Sequence, residues 1–383
     1  MTSQILTVDD VCLRVTSGGT PSRRISDYFE GAIPWLKTQE LRDSWVYETE
    51  EHITQTAVEN SSAKLLPANT VMMAMYGATV GKLAILGAEM TCNQAACAMI
   101  VDPNKADYRY LYYALLNDRS RIIDRANGAA QQNLSARTIK ALEYRFPSVE
   151  EQRAIAATLG ALDDKIESNR RAVEVSRELM RAHYEAVEKS LVRASEVLKP
   201  ILGGTPKRSL PEYWRGGVKW ASAKDIASAS GGFVVETAET VSEEGVRNSA
   251  AKILPKGTIV MTARGTVGAL ARLAEPMAFN QSCYGLQAID RNEASLFLAL
   301  EAAVARIKDA GHGTVFNTVN MATFDQIEIE VPTSRRLDNL FQEMSAIVLQ
   351  RLKENARLAV LRDTLLPELL SGRIRVQVEE AAA

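Results

Sequence analysis

From Glu150 to about Arg193 the chain carries no proline and a single glycine, Gly160. Its inward positions alternate by four and three residues: Ile155, Leu159, Leu162, Ile166, Asn169, Val173, Ser176, Met180, His183 and Val187. That spacing is a heptad seam and predicts one long helix. At ~1.5 Å per residue, its roughly 44 residues would reach on the order of 65 Å. A second, less regular apolar face runs from about Ser334 to Leu370 through Leu337, Phe341, Met344, Val348, Leu352, Asn355, Leu358 and Leu365. Pro367 lies near its end and Gly372 just beyond. Two such helices in one chain are expected to pack antiparallel as a coiled coil and to act as a spacer. The polar seam positions Asn169, Ser176 and His183 either fix register or meet a partner.

The remaining stretches change period. Val71–Met75 and Thr258–Thr262 are short apolar runs bounded by turn residues, which predicts buried strands. Leu83–Leu86 and Leu270–Leu273 follow after glycine turns. Residues 107–124 and 293–309 read as helices.

These pieces recur because the chain is written twice. Gly18-Gly19-Thr20-Pro21 returns 185 positions later as Gly203-Gly204-Thr205-Pro206. Trp35 returns as Trp220, Glu40 as Asp225 and Pro147 as Pro332 at the same offset. Lys64-Leu65-Leu66-Pro67 matches Lys252-Ile253-Leu254-Pro255, Val80-Gly81 matches Val267-Gly268, and Asn93-Gln94 matches Asn280-Gln281. The fold class is therefore α+β: two similar mixed α/β domains joined by two long helices, as a pseudo-two-fold internal repeat. The expected boundaries are 1–148 and 197–333 for the mixed domains, 149–196 and 334–372 for the helices, and 373–383 for a tail. A doubled surface suits a two-part, roughly dyad-related target. Phe233-Val234 is read as lacking a counterpart at Val46-Tyr47, so the two halves should differ in the targets they bind.

Composition narrows the chemistry. A chain of 383 residues with 46% hydrophobic and 24% charged residues has enough material for two or three ordinary cores. No segment reads as membrane-spanning and no signal peptide is evident, so a cytoplasmic location is expected. Cys12, Cys92, Cys97 and Cys283 form no CxxC pair, and His52, His183 and His312 are far apart, so no metal site and only free, buried thiols are expected. The net charge of −2 argues against a polycation that coats nucleic acid, while leaving room for local basic patches. One such patch carries Lys207, Arg208, Arg215, Lys219 and Lys224 against Glu212 and Asp225.

Catalytic signatures fail on inspection. Gly77-Ala78-Thr79-Val80-Gly81-Lys82-Leu83 has three residues between its glycines and Leu83 after the lysine, where a phosphate-binding loop needs four residues and Ser or Thr. Its copy, Gly265 to Ala269, lacks the lysine. Asp163-Asp164-Lys165 lies on the long helix and reads as a surface face. No Ser/His/Asp set and no dinucleotide fingerprint is present. The chain is therefore read as non-catalytic, with no cofactor of its own.

The ordered, duplicated motifs resemble the specificity subunit of type I restriction–modification systems, from Leu6 to Val376. The features that carry the resemblance are the Gly-Gly-Thr-Pro starts, Trp35-Leu36-Lys37-Thr38 and Trp220-Ala221-Ser222-Ala223, the Gly77–Lys82 loop, the Asn-Gln pairs and Gly128–Ser135. The most specific are Pro147-Ser148-Val149-Glu150-Glu151-Gln152-Arg153 opening the first long helix, and Leu365-Leu366-Pro367-Glu368-Leu369-Leu370-Ser371-Gly372 closing the second. Ser334-Arg335-Arg336 departs from the Glu-Glu-Gln start.

The resemblance implies that the mixed domains are target recognition domains, each reading half of a split double-stranded DNA site. It implies that the helices space them and dock two methylation subunits. Those partners would bind S-adenosylmethionine and methylate adenine, and added motor–nuclease subunits would cut DNA. On this picture Arg23, Arg24, Lys37 and Lys82, with Lys207, Arg208, Lys219 and Lys224 in the second copy, are candidates for phosphate contact. Tyr76 and Arg264 precede glycine turns and are candidates for base contact; Arg can pair bidentately with guanine. Gln131, Gln132 and Asn133 form a polar loop suited to adenine, with Thr314 and Asn317 in the second copy. Trp35 and Trp220 are read as core anchors, and Gly77, Gly81, Gly265 and Gly268 as sources of turn freedom. The rival readings are a coiled-coil scaffold with no DNA role, a nucleotide-binding enzyme using the Gly77 loop, and the specificity subunit of a methyltransferase that lacks a nuclease.

Overall fold

A computed structural model describes residues 3–127, 133–289, 292–309 and 319–376. The strands of the first copy are β1 Gln4–Thr7, β2 Cys12–Ser17, β3 Ile33–Leu36, β4 Ser44–Val46, β5 His52–Ile53, β6 Val71–Ala74, β7 Leu83–Leu86, β8 Thr91–Cys92, β9 Ala96–Val101 and β10 Glu143–Phe146. Those of the second are β11 Lys189–Arg193, β12 Leu198–Leu202, β13 Val218–Ala221, β14 Phe233–Val234, β15 Glu239–Val241, β16 Ile259–Thr262, β17 Leu270–Leu273, β18 Ala278–Phe279, β19 Cys283–Ala288 and β20 Glu328–Pro332. The helices are α1 Val8–Val11, α2 Gln55–Glu59, α3 Tyr108–Asn117, α4 Arg119–Asn127, α5 Ala136–Lys140 and α6 Val149–Ala186, then α7 Ala194–Val197, α8 Ala223–Ala227, α9 Glu243–Arg247, α10 Glu293–Asp309, α11 Thr323–Gln326 and α12 Arg335–Ser371.

The chain divides into two compact units. One holds Met1–Asp164 and Ala359–Ala383, the other Lys165–Leu358. Each unit contains the same three sheets. Five strands run in the order β2-β9-β6-β7-β4 in the first unit and β12-β19-β16-β17-β14 in the second. Three run as β5-β3-β8 and β15-β13-β18, and two as β1-β10 and β11-β20. The edge pairs β4·β7 and β14·β17 are parallel, as are β3·β8 and β13·β18, and the others are antiparallel. Registers agree as well: Met73 faces Leu83 and Cys97, and Met261 faces Leu270 and Tyr284.

The two strand predictions around the glycine turns hold, because both faces of these strands are covered. β6 and β7 are buried at every position, so they read as unbroken apolar runs. The Gly-Gly motif has a steric cause. A Cβ on Gly19 would lie 2.3 Å from the backbone of Ser62, and one on Gly204 would lie 2.2 Å from that of Ala250. Over each pair sits a tryptophan, whose indole N–H donates to the Gly19 or Gly204 carbonyl at 3.0 Å. Trp35 and Trp220 are each 3% exposed, which makes them core anchors and removes them as base stackers.

One expectation about the repeat is overturned. Phe233-Val234 does have a counterpart: Phe233 pairs with Arg272 and Val234 with Leu273, as Trp45 pairs with Ile85 and Val46 with Leu86. The match was hidden because the intervening loop differs in length by three residues between Trp35/Trp220 and these strands.

The long helices need two corrections. The first stops at Ala186, not near Arg193 or 196. Lys189–Arg193 instead pairs antiparallel with Glu328–Pro332, as Gln4–Thr7 pairs with Glu143–Phe146. Those backbone groups are thus satisfied across a strand ladder instead of along the helix. The seam also slips at its end. Tyr184, 4% exposed, takes the core position predicted for His183, which is exposed. Its hydroxyl donates to the Glu330 carbonyl at 2.6 Å. In the second helix Pro367 is accommodated inside the last turns, and Gly372 ends it with φ +76.

Within the second unit the helices run antiparallel. Asn169 donates to Asn355 Oδ1 at 2.9 Å, while further along Met180 meets Ser345. Asn169 is 2% exposed and also donates to Glu354, and Asn355 returns a bond to the Ile166 carbonyl. This closed polar set inside an apolar seam admits one register. Within the first unit Ile155 and Leu159 pack with Leu366 and Leu369, and Arg362 donates to Asp163 at 2.7 Å. The Tyr113 hydroxyl donates to the other oxygen of Asp163 at 2.7 Å.

Cys92, Cys97 and Cys283 are buried free thiols, and burial pushes each up to about 12. Cys12 is free but only half-buried. Among the described residues no helix is long and apolar enough to cross a membrane, and no cluster of three metal-ligating side chains occurs.

Candidate nucleic-acid interface

In each unit one end of the five-stranded sheet is built from two segments. The first is the glycine turn between β6 and β7, or between β16 and β17. Gly77 and Gly81 have φ of +80 and +76, and Gly265 and Gly268 have +77 and +76. Such values are costly for residues with a Cβ, which accounts for the glycines. The second segment is tied alongside by a backbone bond. Leu134 N–H donates to the Met75 carbonyl at 2.8 Å, and Val319 N–H donates to the Ala263 carbonyl at 3.3 Å. Tyr76 and Asn133 are therefore brought together, although 57 positions separate them in the chain.

Asn133 is exposed and Tyr76 is half-buried against the core. Arg264 is exposed at the matching turn, with no ion pair among the described residues. Gln131, Gln132, Thr314 and Asn317 lie outside the described residues.

The first turn is braced in a way the sequence reading missed. Asp43, with φ +57, accepts Lys82 Nζ at 2.8 Å, Arg119 Nη1 at 3.1 Å and the Leu83 N–H at 3.1 Å. Arg119 Nε also donates to the Gly81 carbonyl at 3.1 Å. Burial alone would raise the Asp43 carboxyl, but these donors together hold it below the usual range. The second turn is braced differently: Thr262 Oγ1 accepts the Ala269 N–H at 2.9 Å, and Gly231 stands where the first unit has Asp43.

The remaining predicted cations fall into two groups. Arg23 pairs with Glu51 at 2.6 Å and lies over Phe29 and Trp35. Arg208 grips Glu239 with both terminal nitrogens and lies 3.6 Å over Trp214. Hydrogen bonds from these arginines hold Glu51 and Glu239 below the usual carboxylate range. Lys37 pairs with Glu50 and Glu51 at 2.8 and 3.1 Å, and Lys219 with Glu236 and Glu275 at 3.0 and 2.9 Å. These pairs brace the three-stranded sheets. Arg24, Lys207 and Lys224 are exposed and have no ion pair among the described residues. Asn93 and Asn280 accept backbone N–H groups two residues on, as expected of turn formers. Among the described residues no group of nucleophile, base and orienting acid is assembled at either turn.

The comparisons agree with this duplicated layout. A family model described as "Type I restriction modification DNA specificity domain" matches twice, over residues 2–175 and 187–359. The type I restriction enzyme MjaIX specificity subunit of Methanocaldococcus jannaschii is 24% identical over 400 residues, covering 95% of this chain and 91% of that one. The EcoR124I/EcoR124II specificity subunit of Escherichia coli is 28% identical over 174 residues, covering 44% of this chain and 43% of its own. Among solved structures, a type I restriction–modification S subunit from M. genitalium has the same fold, with a TM-score of 0.61, 19% identity and 96% of each chain covered.

Proposed function

The chain belongs to the type I restriction–modification DNA specificity family, and we propose that each of its two repeats reads one half of a split, asymmetric DNA site. Its role is recognition, with catalysis left to other subunits of the system. The recognition regions are residues 1–148 and a second region up to 333 that opens at β11. The long helices set the unread gap, and two methylation subunits carrying S-adenosylmethionine dock on the chain and modify adenine. Motor–nuclease subunits join that assembly where cleavage occurs.

The observation that carries the reading is the sheet end built twice on one framework with different side chains. Tyr76 and Asn133 occupy it in one copy, and Arg264 in the other. The unpaired Arg24, Lys207, Lys224 and Arg264 fit contact with DNA better than Arg23, Lys37, Arg208 and Lys219, whose charges are already matched. A phosphate contact by the latter would first require an ion pair to open. The test is a map of methylated adenines in a host carrying the partner subunits, with and without this chain. The expected result is one motif with two defined parts separated by an undefined gap, present only with the chain. An unchanged map, or a continuous motif, refutes the reading.

A further inference from the structure

Among the described residues Arg272 is the most buried cation in the second unit's core, at 3% exposure. It stands on β17 at the place where the first unit has Ile85, each pairing with the first residue of the neighbouring strand, Ile259 or Val71. Its guanidinium lies 4.1 Å from the ring centre of Phe233 and 4.8 Å from that of Phe297, which accommodates its faces. Nη1 donates to Ser345 Oγ at 2.9 Å, but the buried Nε–H has no acceptor.

Beside it lies a cavity of about 10 Å³, room for about one water-sized particle. Arg177, Arg181 and Arg272 all line it, with Met180, Phe297 and Ser345, and no carboxylate does. The neighbouring carboxylate, Glu301, already accepts Arg177 at 2.6 Å and Arg181 at 3.5 Å through one oxygen. Its other oxygen is an acceptor itself, and the residue faces a separate, larger cavity. Arg272 and Arg177 are largely buried, Arg181 is half exposed, and the carboxylates that act on Arg272, Glu301 and Glu293, both stand outside the cavity lining, so the lining itself carries only positive charge.

We propose that this cavity is a binding site for a small monovalent anion of the halide class, which accepts the Arg272 Nε–H and offsets the arginine cluster. Water would satisfy the N–H but add no negative charge to a lining made of three arginines, and oxyanions exceed the space. The ion ties together β17, α10, α6 and α12, the four elements that contribute Arg272, Phe297, Arg177 and Ser345. Burial, with Arg177 nearby, pushes Arg272 down to about 9, and an anion beside it acts in the opposite direction. The first unit, with Ile85, has no such requirement.

The test is thermal unfolding of the full chain at constant ionic strength, with sodium chloride or bromide replacing sodium gluconate, whose anion is too large to enter. The expected result is a Tm that rises and saturates with halide; at a hundred times Kd, the folded-to-unfolded ratio gains about 100-fold. Arg272→Met should abolish the halide response. Crystals of the unaltered chain grown in bromide should show an anomalous peak within hydrogen-bonding distance of Arg272 Nε, a readout that needs no variant. Equal Tm in chloride and gluconate, a halide response retained by Arg272→Met, or bromide crystals with no peak at that position would each overturn the proposal.

Discussion

Asp43→Asn isolates what the first glycine turn contributes to recognition. The substitution keeps the shape and one acceptor for the Leu83 N–H, but removes the charge that holds Lys82 and Arg119. Lys82 is 46% exposed and Arg119 24%, so the two contacts are unequal. The exposed lysine pair is worth up to about 1 kcal/mol, and the more buried arginine bond about 1.5 kcal/mol. The expected loss of stability is therefore about 2 kcal/mol, measured by urea unfolding. A domain of ordinary stability, about 5–15 kcal/mol, stays folded through that loss. A change in DNA reading then reports on the turn and not on unfolding. With Arg119 released from Asp43, its brace on the Gly81 carbonyl is also weakened, and the segment carrying Tyr76 gains freedom. Discrimination among first half-site sequences should fall by about five- to thirtyfold in a competition gel shift with the methylation partner present. Discrimination at the second half-site should not change, because Gly231 stands at the position of Asp43 there and the turn is held by Thr262 instead. An equal fall at both half-sites, or intact discrimination at the first despite the lost stability, would refute the reasoning.

Arg264→Ala should cost about 1–3 kcal/mol at one base pair of the second half-site and relax specificity there; uniform weakening across all sequences would assign it to phosphate instead. Gly204→Ala forces a methyl against the Ala250 backbone and displaces the Trp220 acceptor, so Tm should drop by several degrees, with Gly217→Ala, where nothing lies within 4 Å, as the neutral control. Acid should weaken the Arg23–Glu51 and Arg208–Glu239 clamps. Both carboxylates are depressed in the fold, so their contribution is full above the ordinary carboxylate range and is lost as pH falls through the lower folded values. Arg23→Gln should flatten that acid limb in a pH series of unfolding midpoints, and an unaltered limb would count against the clamp.

Much of the architecture is legible in the residues, because duplication exposes it. Trp35 and Trp220, the Gly-Gly pairs and the turn glycines each answer a local steric demand, and such demands leave the same residue in both copies. The end of the first long helix is not legible from periodicity. Residues 187–193 contain no proline or glycine, and only pairing with Glu328–Pro332 turns Lys189–Arg193 into a strand. The 185-residue offset relates it to Gln4–Thr7, whose pairing with Glu143–Phe146 is likewise visible only in the fold. His183 in place of Tyr184 reflects the drift between a 3.5- and a 3.6-residue period over many turns. Surface cations are the least legible. Nothing local to Arg23, Lys82 or Arg208 announces Glu51, Asp43 or Glu239, which the fold brings in from other strands and turns. Asp43 was missed for the same reason, although a non-glycine residue at positive φ beside a glycine turn marks a braced site once the backbone is known.

The most direct test of two independent readers on one chain is an exchange of residues 1–148 for the corresponding region of another specificity subunit, followed by sequencing of methylated adenines. The account predicts a hybrid motif in which one half changes, the other is kept and the gap is preserved. A motif altered in both halves would contradict it.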